Sequence, residues 1–263
     1  MKLNDKVVIV TGAGSGMGRE LTLELVRRGA KVVALDMHAA SVQETAQLAG
    51  SAVTALALNV TDRKAVAALP AQIEALIGPI DVLINNAGII QPFVPINELT
   101  MEQAEKVMNV NFYGPLAMVK AFLPSLLKRP EAHILNVSSM GAYAPVPGQS
   151  VYGASKAAVK LLTEGLRSEL RDTKVGVTVV FPGAVATNIS TNSEIAMPAV
   201  SGDASSFKQT SASDAAKMMV DAIEKGKPRI TIGKDATMMD RLSRINPVFA
   251  ANLIYKQMKS LLG

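Results

Sequence analysis

The sequence predicts an α/β fold, a doubly wound parallel sheet of about seven strands with helices on both faces, and three observations carry that prediction. Seven short runs rich in Val, Ile, Leu and Ala alternate with longer stretches of helical period. Those runs are apolar throughout instead of alternating with polar residues, as strands buried on both faces are. A glycine-rich turn, TGAGSGMG at 11–18, stands between the first run and a stretch with Leu21, Leu25 and Val26 at helical spacing. Right-handed crossovers then gather the loops that follow the strands on one edge of the sheet, where open sheets of this kind bind ligands.

Taken in order, KVVIVT at 6–11 is the first strand and leads into Gly12, Gly14, Ser15, Gly16, Met17 and Gly18. Glycines there permit positive φ and let the backbone approach a pyrophosphate, whose charge is favoured by free amides and by the positive end of the helix dipole. KVVALD at 31–36 ends on Asp36, a carboxylate placed to accept from the ribose hydroxyls of an adenosine. It would repel a 2′-phosphate, and Ser15, Met37 and His38 add no permanent cation, so the pair of motifs favours NAD over NADP. Further strands are AVTALAL at 52–58, IDVLIN at 80–85, HILNVS at 133–138, VGVTVVF at 175–181 and RITI at 229–232. Asp62 is placed as an acid at a helix start. Residues 184–213 lack sustained period and read as a long loop, a lid over the strand edge.

Composition bounds the function. The chain has 263 residues, 49% apolar and 19% charged, with no Cys and no Trp, which excludes a disulfide scaffold and a cysteine-ligated metal site. We expect no metal. A single domain accommodates this length, with 1–235 as the dinucleotide-binding catalytic part and 236–263 as its helical extension. The formal charge of +5 comes from dispersed Lys and Arg with few aromatics, so nucleic acid is not an expected partner. The first residues run directly into a strand, and no run of about eighteen apolar residues occurs, so cytoplasm is the default location. In the extension, Asn246 is a helix cap, Pro247 takes the first turn, and apolar residues at 249, 253, 254, 258, 261 and 262 make an amphipathic helix. Such a helix is expected to cover its own domain or a sister subunit, with a membrane-surface role as the minority alternative.

The reaction type is legible in VYGASKAAVKLL. Tyr152 and Lys156 lie four residues apart on one face of a helix beginning near Ser150, thirteen residues after the second serine of NVSS. A cation held close to a phenol favours phenolate, which predicts a Tyr152 pKa below the usual value of about 10. With TGAGSGMG, the NNAG of 85–88, the serines of NVSS, YGASK and the PG of 182–183, the chain resembles the short-chain dehydrogenase/reductase family over roughly 5–235.

That resemblance implies a Rossmann fold and assigns roles. Tyr152 is the acid or base, Lys156 tunes it and bonds the nicotinamide ribose, and Ser139 binds the substrate oxygen, with Ser138 turned away. Asn111 in NVNFYG holds a water of the proton relay, or else kinks its helix. Asn86, Ala87 and Gly88 line the adenosine side. Asn59 and Val60 contact adenine, Asn59 standing where many relatives carry Asp. Pro182, Gly183, Val185 and Thr187 clamp the nicotinamide carboxamide. The implied activity is hydride transfer between NAD(H) and a secondary alcohol or ketone, apolar by the character of 89–97, 140–149 and the lid. The alternatives are an NADPH-dependent 3-oxoacyl-type reductase, against which Ser15 speaks, and a non-catalytic dinucleotide sensor. A homo-oligomer, dimer or tetramer, is implied as well.

Overall fold

The computed structural model describes residues 1–187, 189, 193, 195 and 209–259. Strands β1 (Val7–Thr11), β2 (Lys31–Asp36), β3 (Val53–Ala57), β4 (Val82–Asn85), β5 (Ala132–Val137), β6 (Val175–Pro182) and β9 (Arg229–Ile232) form one parallel sheet in the order β3-β2-β1-β4-β5-β6-β9. All seven strands fall on the apolar runs of the sequence. Two further strands, β7 (Val185–Ala186) and β8 (Thr210–Ser211), pair in parallel and draw together the two ends of the long loop. Much of that loop, 188, 190–192, 194 and 196–208, lies outside the described residues, as do 260–263.

Alternation along the strands decides which helices cover which face. Val8, Val10, Val32, Ala34, Val82 and Ile84 pack on one side against α1 (Gly16–Arg27), α2 (Ala39–Ala49) and α7 (Ala212–Glu224), through Leu21, Leu25, Val42, Met219 and Ile223. Val7, Ile9, Val33, Leu35, Leu83 and Ile134 pack on the other against α3 (Arg63–Ile77), α5 (Gly114–Leu126) and α6 (Ser150–Glu169), through Val66, Leu69, Ile73, Met118, Phe122 and Leu166. The sheet is thus dry on both faces, the reason its strands carry no polar alternation. Asp81 fixes the entry to β4: its carboxylate accepts from Val7 N at 3.0 Å and from Arg129 Nε at 2.9 Å.

Local signals set several helix starts. Asp62 caps α3, accepting from the amides of Lys64 and Ala65, as its place in the sequence predicts. Thr100 and Gln103 form a reciprocal capping box at α4 (Met101–Met108). Between α4 and α5 the chain makes a π-turn, Asn109–Tyr113, a wider coil that pushes Asn111 inward.

Beyond β9, α8 (Lys234–Ile245) and α9 (Pro247–Met258) close over the turn after β5. Asn246 does cap α9, its side chain accepting from Phe249 N. The apolar face needs one correction. Ala250 and Ile254, four residues apart, are buried with Leu253 and Met258 beside them, and this rotates Phe249 outward to 55% exposure. Positions 261 and 262 lie outside the described residues.

Candidate active site

A cleft of about 530 Å³ opens at the carboxyl ends of the central strands. Gly12, Gly14, Ser15, Gly16, Met17 and Gly18 line it together with Asp36, Asn59, Val60, Asn86, Ala87, Gly88 and Thr187. A larger hollow, about 1190 Å³, lies at the opposite edge among Lys6, Arg167, Arg171 and Lys174, and it holds none of the predicted site residues. Size and chemistry therefore point to different ends of the sheet. The groups able to do chemistry are at the smaller one.

The glycine turn is shaped by close approach. Gly12 has φ +66°, and a Cβ there would lie 2.9 Å from Ala87 Cα. A Cβ on Gly18 would collide with the carbonyl oxygen of Gly12. Thr11, which sequence reading passed over as a strand end, ties this turn to the next strand: its hydroxyl accepts from the amides of Asn86 and Ala87, both at 3.0 Å. Asn86 returns the contact, donating from Nδ2 to Thr11 O at 3.0 Å. Its Oδ1 is buried without a partner among the described residues. A cradle with no room for side chains, ending in an orphaned acceptor, fits a nucleotide, which has donors to offer and needs close backbone contact.

Asp36 stands at the cleft wall, with Oδ2 accepting from Gly14 N at 2.9 Å and Oδ1 accepting from His38 N at 3.0 Å. Arg19, also missed from sequence, lies close by and donates to Gly14 O at 2.7 Å. The same nitrogen, Nη2, also donates to Glu44 Oε2 at 2.6 Å. Asn59 Oδ1 accepts from the amide and hydroxyl of Thr61, an Asx turn at the end of β3.

The acid-base groups lie off the lining of this cleft, behind Gly88. Ser139, just past the end of β5, stands beside Tyr152 on α6: a Cβ on Gly141 would lie 3.5 Å from Ser139 Oγ and 3.4 Å from Tyr152 Cε1, and the Ser139 hydroxyl accepts from Gly141 N at 3.0 Å. Ser138 points elsewhere: its hydroxyl is buried and donates to Lys156 O at 2.8 Å, as strand alternation predicts. Lys156 is buried, and its Nζ donates to Val137 O at 3.1 Å, 5.9 Å from the Tyr152 ring centroid. A Cβ on Gly88 would lie 3.1 Å from that Nζ and 3.3 Å from Asn111 Oδ1, so the lysine and the asparagine border the cleft wall. Burial brings the lysine down to about 8.

The expected lowering of Tyr152 is reversed. Burial raises its pKa, and the neighbouring Ser139 hydroxyl acts the other way without overcoming it. The reason is geometric: the ammonium is spent on a carbonyl of β5 and makes no hydrogen bond to the phenol.

Asn111, inside the π-turn, ties that turn to the loop after β4 and to α6. Its Oδ1 accepts from Ile89 N at 2.9 Å, while Nδ2 donates to Ile89 O and to Ser155 Oγ. Pro182, Gly183 and Val185 stand off the cleft lining, which only Thr187 of that group reaches. Gly183 N extends the β6–β9 ladder by donating to Ile232 O, and Asp235 accepts from Ala184 N at 2.7 Å.

Gln91 gave no signal in the sequence. Its Oε1 accepts from the amides of Val151 and Tyr152, at 2.8 and 2.9 Å, and its Nε2 donates to Gly148 O. It thereby caps α6 from sixty residues away, where Gln149, the residue at the cap position, makes no capping bond to the helix and instead donates from Nε2 to Gln91 O at 2.7 Å.

A family model described as short chain dehydrogenase matches residues 6–197. The chain belongs to the short-chain dehydrogenase/reductase family. Among the members of that short-chain dehydrogenase/reductase family similar to it, putative oxidoreductase SadH of Mycobacterium tuberculosis is 35% identical over 253 residues, 91% of this chain and 90% of that protein. Dehydrogenase/reductase SDR family member 7B of Mus musculus is 35% identical over 239 residues, 88% of this chain and 74% of that protein. A short-chain dehydrogenase/reductase from Burkholderia phymatum in complex with NAD superposes with a TM-score of 0.85 at 27% identity, over 95% of this chain and 96% of that one. Another, from Burkholderia cenocepacia in complex with NADP, gives 0.81 at 29% identity, over 97% and 99%.

Proposed function

We propose that the protein transfers a hydride between NAD(H) and a secondary alcohol or ketone of apolar character, with Tyr152 as general acid and base. The observation that carries this is the grouping of Ser139, Tyr152 and Lys156, with Lys156 standing directly behind Gly88 on the wall of the cleft that the glycine turn also lines. When bound, a nicotinamide dinucleotide supplies the hydride acceptor or donor. Gly12, Gly14 and Gly18 would receive its phosphates, Asp36 its adenosine ribose and Asn59 and Val60 its adenine, with Asn86, Ala87 and Gly88 lining the adenosine side. Thr187, with the turn of Pro182, Gly183 and Val185, meets the carboxamide.

Ser139 Oγ orients the substrate oxygen against the Tyr152 phenol, which gives its proton in reduction and takes one in oxidation. A phenol kept protonated by burial is ready as the acid; as the base it needs Lys156 to swing from Val137 O toward it, lowering the cost of phenolate. Lys156, at about 8, still carries its charge through neutral pH for that purpose. Asn111 Oδ1 has a second lone pair with which to hold a relay water. Ile89, Ile90, Met140 and Val146 make the neighbouring surface apolar.

Asp36 supports NAD, since its carboxylate would face a 2′-phosphate. Arg19 supports the second reading, NADP, because a guanidinium stands on Gly14; Glu44 holds it in an ion pair. We further propose one catalytic domain over 1–235 with 236–263 as its extension, a cytoplasmic location and a homo-oligomeric state.

Replacing Tyr152→Phe tests the central reading. Turnover on a panel of apolar secondary alcohols is expected to fall by about three orders of magnitude or more, while NAD affinity by fluorescence stays within a few fold. Near wild-type turnover in that variant overturns the assignment.

A further inference from the structure

The inward face of α9 is accounted for by Ala250 and Ile254, which pack on the protein's own turn at Met140, Tyr143 and Val146. Its other face is not. At the corner between α8 and α9, Ile245 is 82% exposed, Val248 69% and Phe249 55%, with Tyr255 at 54% further along and Met238 at 43% on α8. Side chains of this size gathered at one exposed corner make an interaction surface. Arg241 and Arg244 lie on α8 and Lys256 and Lys259 at the end of α9, and residues 241–263 contain no acidic residue at all. Arg244 pairs with Asp240, whereas Arg241, Lys256 and Lys259 have no acidic partner among the described residues.

We propose that this corner docks on an anionic phospholipid bilayer. Charge chooses the occupant. In a two-fold contact between copies the patch would meet itself, setting basic side chains against basic side chains. A bilayer with anionic headgroups supplies the missing counter-charge to the cations and takes Ile245, Val248 and Phe249 beneath the headgroup level. No helix among the described residues is long and apolar enough to cross a membrane, so the protein lies on the surface. The corner is also rigid: Pro247 opens α9 and Asn246 Oδ1 accepts from Phe249 N at 2.9 Å, so the three apolar side chains are presented without a folding step. Docking stands independently of the proposed reaction. If both hold, an apolar alcohol dissolved in the bilayer meets the protein next to the turn that follows Ser139.

The test is flotation of the full chain with vesicles of phosphatidylcholine, alone or mixed with phosphatidylglycerol. The protein is expected to float with the mixed vesicles, and to be released by high salt. Val248→Ser with Phe249→Ser should lower the partition coefficient at least about tenfold, from the lost apolar burial. Lys256→Gln should lower it about fivefold, which is the ~1 kcal/mol that one basic residue is worth near an anionic surface. All three positions are exposed, and unchanged circular dichroism verifies the fold. Failure to float with mixed vesicles overturns the proposal, as does equal flotation of the double-serine variant. If instead that variant lowers the mass by light scattering while wild-type flotation is absent, a second copy covers the face and the bilayer reading is wrong. None of these readouts involves turnover, so they stand apart from the Tyr152→Phe result.

Discussion

Asp36 shapes the glycine turn through Gly14 N, and in the proposed reading the same carboxylate has a second duty, facing the ribose of a nucleotide. Removing it separates those duties. In Asp36→Ala the preference for NAD over NADP, measured as the ratio of kcat/KM values, is expected to narrow at least about tenfold, because a repelling charge goes and Arg19 remains on the same turn. An unchanged ratio would show that the carboxylate serves the turn alone. Tyr152, Lys156 and Ser139 were legible because their relation is written in fixed spacing within one helix and one strand end. The position of the lysine ammonium was not, since its bond to Val137 O depends on where β5 lies against α6. Thr11 and Arg19 escaped for the same reason: each acts on a segment brought near only by folding.

At the level of elements, α6 shows how little of a helix start need be local. Its first two amides that matter for the phenol, those of Val151 and Tyr152, both donate to Gln91 on the loop after β4. Gln91→Leu leaves them without an acceptor in a buried place, a loss of about 1–3 kcal/mol. We expect kcat to fall about tenfold or more while the dissociation constant for NAD changes less than twofold. Gln91→Glu keeps the acceptor but sets a negative charge at the helix start. That disfavours phenolate, so the rising limb of the oxidation pH profile should move to higher pH. A parallel loss in kcat with no displacement of the profile would assign Gln91 to folding only. Seven strands and the helices between them were readable as apolar runs and periods. The two-residue strands β7 and β8 and the π-turn at Asn109–Tyr113 were not, being too short to carry a period.

For the whole molecule, a buried imidazole couples stability to acidity. His133 lies near the start of β5, 3% exposed, with Nε2 2.8 Å from Thr178 Oγ1 and no room on the Gly176 side, where a Cβ would lie 2.5 Å from Nδ1. Thr178 spends its own proton on Lys227 O, so the imidazole donates and is held neutral. Burial lowers its pKa to about 4 from the ordinary 6.5. The unfolded chain therefore binds a proton that the folded one refuses as pH drops from 6.5 toward 4, and folding loses about 3 kcal/mol over that window. Urea midpoints should decline across it and decline less in His133→Gln; identical slopes would remove histidine from the account.

The clasp between Thr11 and Asn86 has a consequence for biosynthesis. Its two halves are separated by seventy-five positions, with three strands and three helices translated in between. A nascent chain arrested before Ile84 leaves the ribosome with its phosphate-binding loop written but unfastened, and long closures of this kind are slow. Nucleotide capture then waits on translation of the fourth strand, and until that moment the apolar first strands are the chaperones' concern.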